Sequence, residues 1–212
     1  MKDYSNYHNT DFKSKVIHDG NILFEQGLNG FDGYEVTVNE VISRAIITSK
    51  FNSGDGTEKN IIGKVADIER GNVILVNETN ENWIVISIPK DNNIYRKAVI
   101  KLCNSTFSLP GEKTKVLIGQ DPRTGRPIYD EQVTQIEVPC IVESQYSKSS
   151  DVNQFKIPEG TLVISMKYQT SEELKIDYDF EMYGNKYKVA NFDYTSVIDD
   201  KGIIKIIAEK VV

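Results

Sequence analysis

Short β-branched runs separated by turn-forming residues recur along most of this chain, and that cadence constrains its fold more than any other feature. YEVTVNEV from Tyr34 alternates apolar and polar positions, while NVILV from Asn72 and NWIVISI from Asn82 are compact apolar runs. KIDYDFEMY sets Ile176, Tyr178, Phe180 and Met182 on one face at period two. Such alternation suits half-buried strands, whose successive side chains point to opposite faces. Between the runs lie SGDG at 53–56, NETNEN at 77–82, PKDNN at 89–93, YGNK at 183–186 and IDDKG at 198–202. Gly and Asn supply positive φ there, and Asp and Asn close Asx turns. The expected class is therefore all-β, with small sandwich or barrel modules rather than strands alternating with helices.

A second feature is an echo. KAVIKL, Lys97 to Leu102, returns as KGIIKI, Lys201 to Ile206, and the same offset of 104 carries Trp83 onto Tyr187 and Val85 onto Val189. In both copies an Asn-containing turn leads to an aromatic residue, a short strand, a second turn and a closing strand. Two β modules of similar plan in tandem are the economical reading, and chance recurrence of a common strand pattern is the competing one. Trp83, Val85, Tyr187 and Val189 are the expected core residues. Each ring can bury roughly 150–250 Å², worth about 4–6 kcal/mol before the cost of ordering it.

The expected organisation is an N-terminal arm over 1–35, a first module over 36–110, an extended hairpin or linker over 111–138 and a second module over 139–212. The arm is the only stretch with appreciable helical character, around GNILFEQGLNG, where Gly20, Gly27, Gly30 and Gly33 should limit helix length. In VLIGQDPRTGRPIYDEQVTQIEV, Pro122, Gly125 and Pro127 stiffen a polar tip between strand-like flanks, which fits a long protruding hairpin.

Composition narrows the function classes. With 212 residues and 39% hydrophobic residues the chain can bury a core without disulfides. Two cysteines, Cys103 and Cys140, make neither a disulfide scaffold nor a zinc site, and both read as buried thiols. A net charge of −6 disfavours nucleic-acid binding. No apolar run approaches the length of a bilayer span, and the start lacks a secretory layout, so no membrane association is expected.

Catalytic patterns do not emerge. His8 and His18 lack the spacing of a helical metal pair. GTEKNIIGK, Gly56 to Lys64, has six residues between its glycines and Val65 in place of the magnesium-binding hydroxyl, so it reads as a hairpin loop rather than a phosphate loop. No nucleophile elbow occurs, and the alternate carboxylates of DYDFE at 177–181 read as a wet strand face. Arg123 and Arg126 beside Asp121 read as self-satisfied turn charges. No enzyme, cofactor or metal is expected.

The segment NWIVISIPKDNNIYRKAVIKLCN resembles structural proteins encoded in the head-to-tail gene region of tailed phages and prophages of Gram-positive bacteria. The matching positions are Val36, Val38 and Asn39; Ala45 to Ile47; Trp83, Val85 and Ser87; Tyr95, Lys97, Ala98, Ile100, Cys103 and Asn104; Cys140, Ile141, Val142 and Ser144; and Gly202 to Ile204 with Ile206. The insert GQDPRTGRPIYDEQ departs from the shorter loops of that group. The resemblance implies a virion component at the neck, a head-closure, adaptor or stopper-like protein assembled in the host bacterial cytoplasm. It implies a homo-oligomeric ring around a passive DNA channel, in contact with neighbouring neck, portal or tail proteins. Phe24, Leu28, Pro122, Arg123, Arg126 and Pro127 are the candidate intersubunit contacts. The alternative is a tail or baseplate module that recognises host glycan through Tyr183, Tyr187 and Tyr194.

Overall fold

The computed structural model describes residues 11–50, 56–120, 122–144, 160–169, 171 and 174–211. They form two compact units, divided between Cys103 and Asn104.

In the first unit a helix, α1 (Phe12–Leu28), precedes seven strands: β1 (Gly33–Val38), β2 (Val41–Ser49), β3 (Glu58–Gly63), β4 (Val73–Val76), β5 (Glu81–Val85), β6 (Lys90–Asp91) and β7 (Arg96–Leu102). Six of them follow the order β3-β2-β1-β4-β5-β7, and β7 pairs back onto β3 to close a barrel; β6 is a short addition on β7. All pairings of this ring are antiparallel. YEVTVNEV is two strands rather than one: Val38 pairs with Val41, and the intervening Asn39 and Glu40 have φ of 47° and 69°. Two consecutive positive φ values make the two-residue hairpin turn whose twist matches the strands. GTEKNIIGK is not a loop either, because its centre is β3, the strand that closes the ring. Ile61, Ile74, Trp83, Val85 and Ile100 fill the interior.

The N-terminal segment is more regular than the glycines suggested. Asp11 caps α1 by accepting from the Lys13 amide, and the helix runs 17 residues through Gly20 and Gly27. Gly20 is tolerated because tertiary packing outweighs propensity: a Cβ there would lie 2.4 Å from Ile94 Cδ1, so the glycine permits the helix to approach that side chain. Phe24 packs on Tyr95 with ring centroids 5.3 Å apart, and Leu28 is fully buried. Arg44 on β2 fastens the helix end, donating from Nε to the Leu28 carbonyl at 2.6 Å and from Nη2 to Gly33 at 2.7 Å.

The second unit begins with a long ribbon, β8 (Ser105–Gln120) and β9 (Pro127–Ser144), followed by β10 (Leu162–Lys167), β11 (Asp179–Met182), β12 (Asn185–Asp193), β13 (Val197–Ile198) and β14 (Lys201–Lys210). The order is β11-β12-β14-β10-β9-β8, with β13 on β14. Its core gathers Phe107, Val138, Cys140, Ile164, Met166, Met182, Tyr187, Val189 and Ile206, with Phe180 packed against it. Ile176 leaves the face it was expected to share, because the chain turns at Asp177, φ 70°, and Ile176 is exposed.

The two units repeat one plan. Reading β8 for β1, β9 for β2, β10 for β3 and β11 to β14 for β4 to β7, every pairing along the second sheet has its counterpart in the first. Trp83 and Val85 lie on β5 and Tyr187 and Val189 on the equivalent β12, all four buried. The offset of 104 does not extend through the closing strands: Val85 pairs with Ile100, whereas Val189 pairs with Ala208, four positions beyond Ile204. The division also falls before residue 110, since β8 belongs wholly to the second unit and the hairpin placed at 111–138 is the outer part of β8 and β9.

Candidate interaction surfaces

The ribbon is the first candidate. β10 pairs with β9 only from Cys140 to Ser144, whereas β8 follows β9 from Ser105 to Gln120, so the outer ribbon is two strands wide. Its register shifts between Pro110 and Lys113 and again between Leu117 and Gly119. Such shifts bend and twist a ribbon. Val116, Leu117 and Ile118 are all exposed, as are Ile128, Tyr129 and Ile136. Three consecutive residues of a strand point to alternate faces, so both faces of the ribbon present apolar side chains. Leu117 lies directly opposite Tyr129, an apolar pair 56% exposed at each member. Exposed apolar side chains on both faces make the ribbon a candidate interaction surface. Pro122, Arg123, Arg126 and Pro127 are exposed at the tip, where Gly125 has φ 68°; Asp121 lies outside the described residues.

Of the two contacts assigned to the arm, Leu28 is corrected: it is buried in its own unit. Half-buried Phe24 rests on Tyr95, which helps hold the helix to the barrel. The residues that sequence reasoning missed are Phe12, Val16 and Leu23, exposed beside that docked stripe. Their spacing of four and seven places them on one side of the helix, a periodicity readable in the sequence before the structure.

A second surface is a cleft of about 630 Å³ in the second unit, lined by β8 from Ser105 to Ser108, by Gln135 and Glu137, and by Tyr178 to Tyr183. Phe107 and Phe180 meet at its floor, edge to face at 5.1 Å, and Phe180 stacks on Tyr187 at 5.9 Å. Ser108 donates to Glu137 across the pair. A smaller cavity of about 200 Å³ lies among Tyr168, Leu174, Phe192 and Tyr194.

The tyrosines proposed for glycan do not make one platform. Tyr187 is buried, and exposed Tyr183 and Tyr194 flank opposite ends of β12, one at the cleft and one at the small cavity.

His18 is exposed on α1, and His8 lies outside the described residues. Burial, reinforced by the nearby Glu137 carboxylate, pushes the Cys140 thiol up to about 12, so it is a neutral packing group. Asp177 and Asp179 of DYDFE are largely exposed and share Lys188 at 4.0 and 3.9 Å. Among the described residues no group of three or more His, Cys, Asp or Glu could hold a metal ion, and no helix is long and apolar enough to cross a membrane.

Comparison with known proteins agrees with the division into units. Residues 6–102 match the YomX N-terminal domain, which ends one residue before the end of the first unit at Cys103. The SPbeta prophage-derived protein YomX of Bacillus subtilis (strain 168) is 40% identical over 212 residues, covering 99% of this chain and 97% of that protein. No solved structure matches. With both units covered at that identity, the chain belongs to the YomX family.

Proposed function

We propose that this chain is a bacteriophage structural protein of the head–tail interface, acting as one of several copies in a ring around the DNA channel. The observation that carries the proposal is the outer ribbon. A two-stranded ribbon is marginal in water by itself, and one with Leu117, Ile118, Ile128 and Tyr129 exposed gains stability when a neighbour covers it. Kinship with a prophage protein supplies the phage context. Two β units provide stiff bodies for stacking, and the net charge of −6 lets DNA pass without adhering. The role is non-catalytic, needs no cofactor, and places the protein in the virion beside portal, neck or tail proteins.

Two measurements test it. Mass photometry of the pure protein, alone and with portal-type partners, should show assemblies that the double variant Leu117→Asp, Tyr129→Asp loses while keeping its melting temperature. Immunogold labelling of induced particles should decorate the neck. Absence of the protein from purified particles, or labelling of the tail tip alone, overturns the neck assignment.

A further inference from the structure

The second unit follows the first strand for strand except at one seam. In the first, β1 pairs with β4 from Val36–Val76 to Val38–Ile74, and the ring closes. Among the described residues, the equivalent β8 and β11 pair only with β9 and β12. The 630 Å³ cleft lies at that seam.

The register shows which peptide groups face it. Asn104 bonds through its side chain to both the amide and the carbonyl of Val142, so Val142 and the residues in phase with it, Cys140 and Val138, point their peptide groups toward β8. Pro139, out of phase and lacking an N–H, lies opposite Thr106, and Pro110 lies opposite Gln135. Alternate pairs of an antiparallel ladder turn outward, so Thr106 and Ser108 aim their N–H and C=O at the seam. On the other side, Tyr183 and Gly184 form a two-residue turn closing on the Met182–Asn185 pair, and Val189 donates to the Tyr178 carbonyl. Met182, Phe180 and Tyr178 therefore bond inward to β12, while Asp179 and Glu181 present their peptide groups to the seam.

We infer that this seam is a receptor for one extended segment of another polypeptide, which completes the second barrel by pairing with β8 on one side and β11 on the other. An unpaired strand edge is a template for such addition, and here two edges border one cleft. The cleft also states the chemistry of its occupant. Phe107, Phe180 and Met182 line its inner side, which selects alternate apolar side chains. The ionisable lining groups besides tyrosine are Glu137, Asp179 and Glu181, which selects Lys or Arg at the intervening positions. The inference does not depend on where in a phage particle the protein sits.

The test uses the full chain, labelled for amide exchange, and three capped heptapeptides: alternating Lys and Val, alternating Glu and Val, and the Lys–Val peptide N-methylated at alternate residues. The Lys–Val peptide should slow exchange at Thr106, Ser108, Asp179 and Glu181 at least about tenfold, a change of about 1.4 kcal/mol in the opening equilibrium. The N-methylated peptide should produce no such slowing and the Glu–Val peptide less of it. Ser108→Pro removes one seam donor at a position where the ladder does not use it, and should abolish the effect. Should Ser108→Pro not fold, the N-methylated peptide decides alone. Basic-peptide binding without edge protection, or undiminished by N-methylation, overturns the inference as mere charge attraction. Protection without peptide also overturns it: if it grows with protein concentration the occupant is a second copy, and if it does not the chain closes its own seam.

Discussion

Among the described residues the first unit closes its ring and the second, built on the same strand order, leaves a seam. The difference lies in the opening hairpin. In the first unit β1 and β2 have 6 and 9 residues, and β1 sets the small β-branched Val36 and Val38 against Val76 and Ile74 of β4. In the second the corresponding strands have 16 and 18 residues, and the inward groups at the seam are Phe107, Phe180 and Met182. Larger side chains meet in the interior before the backbone edges do, and the extra strand length leaves the sheet as a ribbon. Closure removes an edge, whereas an open seam and a ribbon both offer edges to other chains. Among the described residues the second unit thus offers strand edges that the first has paired.

Substitutions at equivalent positions can break this comparison. The largest effect is expected from Trp83→Ala: Trp83 is 2% exposed inside the closed barrel, and its loss should cost about 3–5 kcal/mol. Tyr187→Ala should cost less, because Tyr187 packs on Phe180, which lines the open cleft. Equal falls in the calorimetric melting temperatures would show that the seam does not soften its surroundings. Among the described residues the Trp83 Nε1–H finds no hydrogen-bond partner, so a Phe replacement should recover part of the loss.

Alkaline titration comes next, and it isolates the second unit. The Cys140 thiol is raised from an ordinary 9.0 to about 12, so between those values the unfolded chain ionises there and the folded chain does not. Its contribution to stability is complete below pH 9 and declines as pH rises toward 12, by up to about 4 kcal/mol at 1.36 kcal/mol per unit. Denaturant melts of the parent and Cys140→Ala should diverge in slope above pH 9; parallel curves would refute the burial argument.

The echo itself supplies a smaller test. Its second residue is Ala98 in one copy and Gly202 in the other. Gly202 has φ 131°, and a Cβ there would lie 2.1 Å from the Ser196 carbonyl oxygen. Gly202→Ala should cost about 1–3 kcal/mol through backbone strain alone, whereas Ala98→Gly in a regular buried strand should cost about 1 kcal/mol. Equal costs by urea denaturation would mean the two positions are equivalent after all.

The smallest effect concerns Asp91 and Asp193, one in each unit, whose carboxyls accept the amides of Asn93 and Thr195. Asp91 is held below its ordinary 3.8 by the Asn93 amide first and then by Arg96; Asp193 by the Thr195 hydroxyl and amide, with Lys205 adding to them. Both contributions are present above pH 3.8 and fade as pH falls below it, so Asp→Ala at either site should flatten the acid limb of the melting curve slightly. A steeper limb in either variant would reverse the sign.

Much of the fold was legible because strand and turn signals are local. The turns at 183–184 and 199–200 fall where Gly and consecutive Asp residues stand in the sequence, and the aromatic anchors lie on equivalent strands. Local pattern misled where a non-local contact decided. Asn39 and Glu40 look like strand until Val38 pairs with Val41, and GTEKNIIGK looks like a loop until β7 lies beside it. The glycines of α1 argue against a helix until Ile94 is packed against one of them.

The sequence by itself determined the all-β class, the two-unit repeat and the four buried anchors, because alternation and turn chemistry act within a few residues. Tertiary structure alone decided which ring closes, which peptide groups face the seam, and which described apolar residues are exposed. Those outcomes depend on strand register and on the size of side chains that meet from distant parts of the chain, and no local window contains both partners.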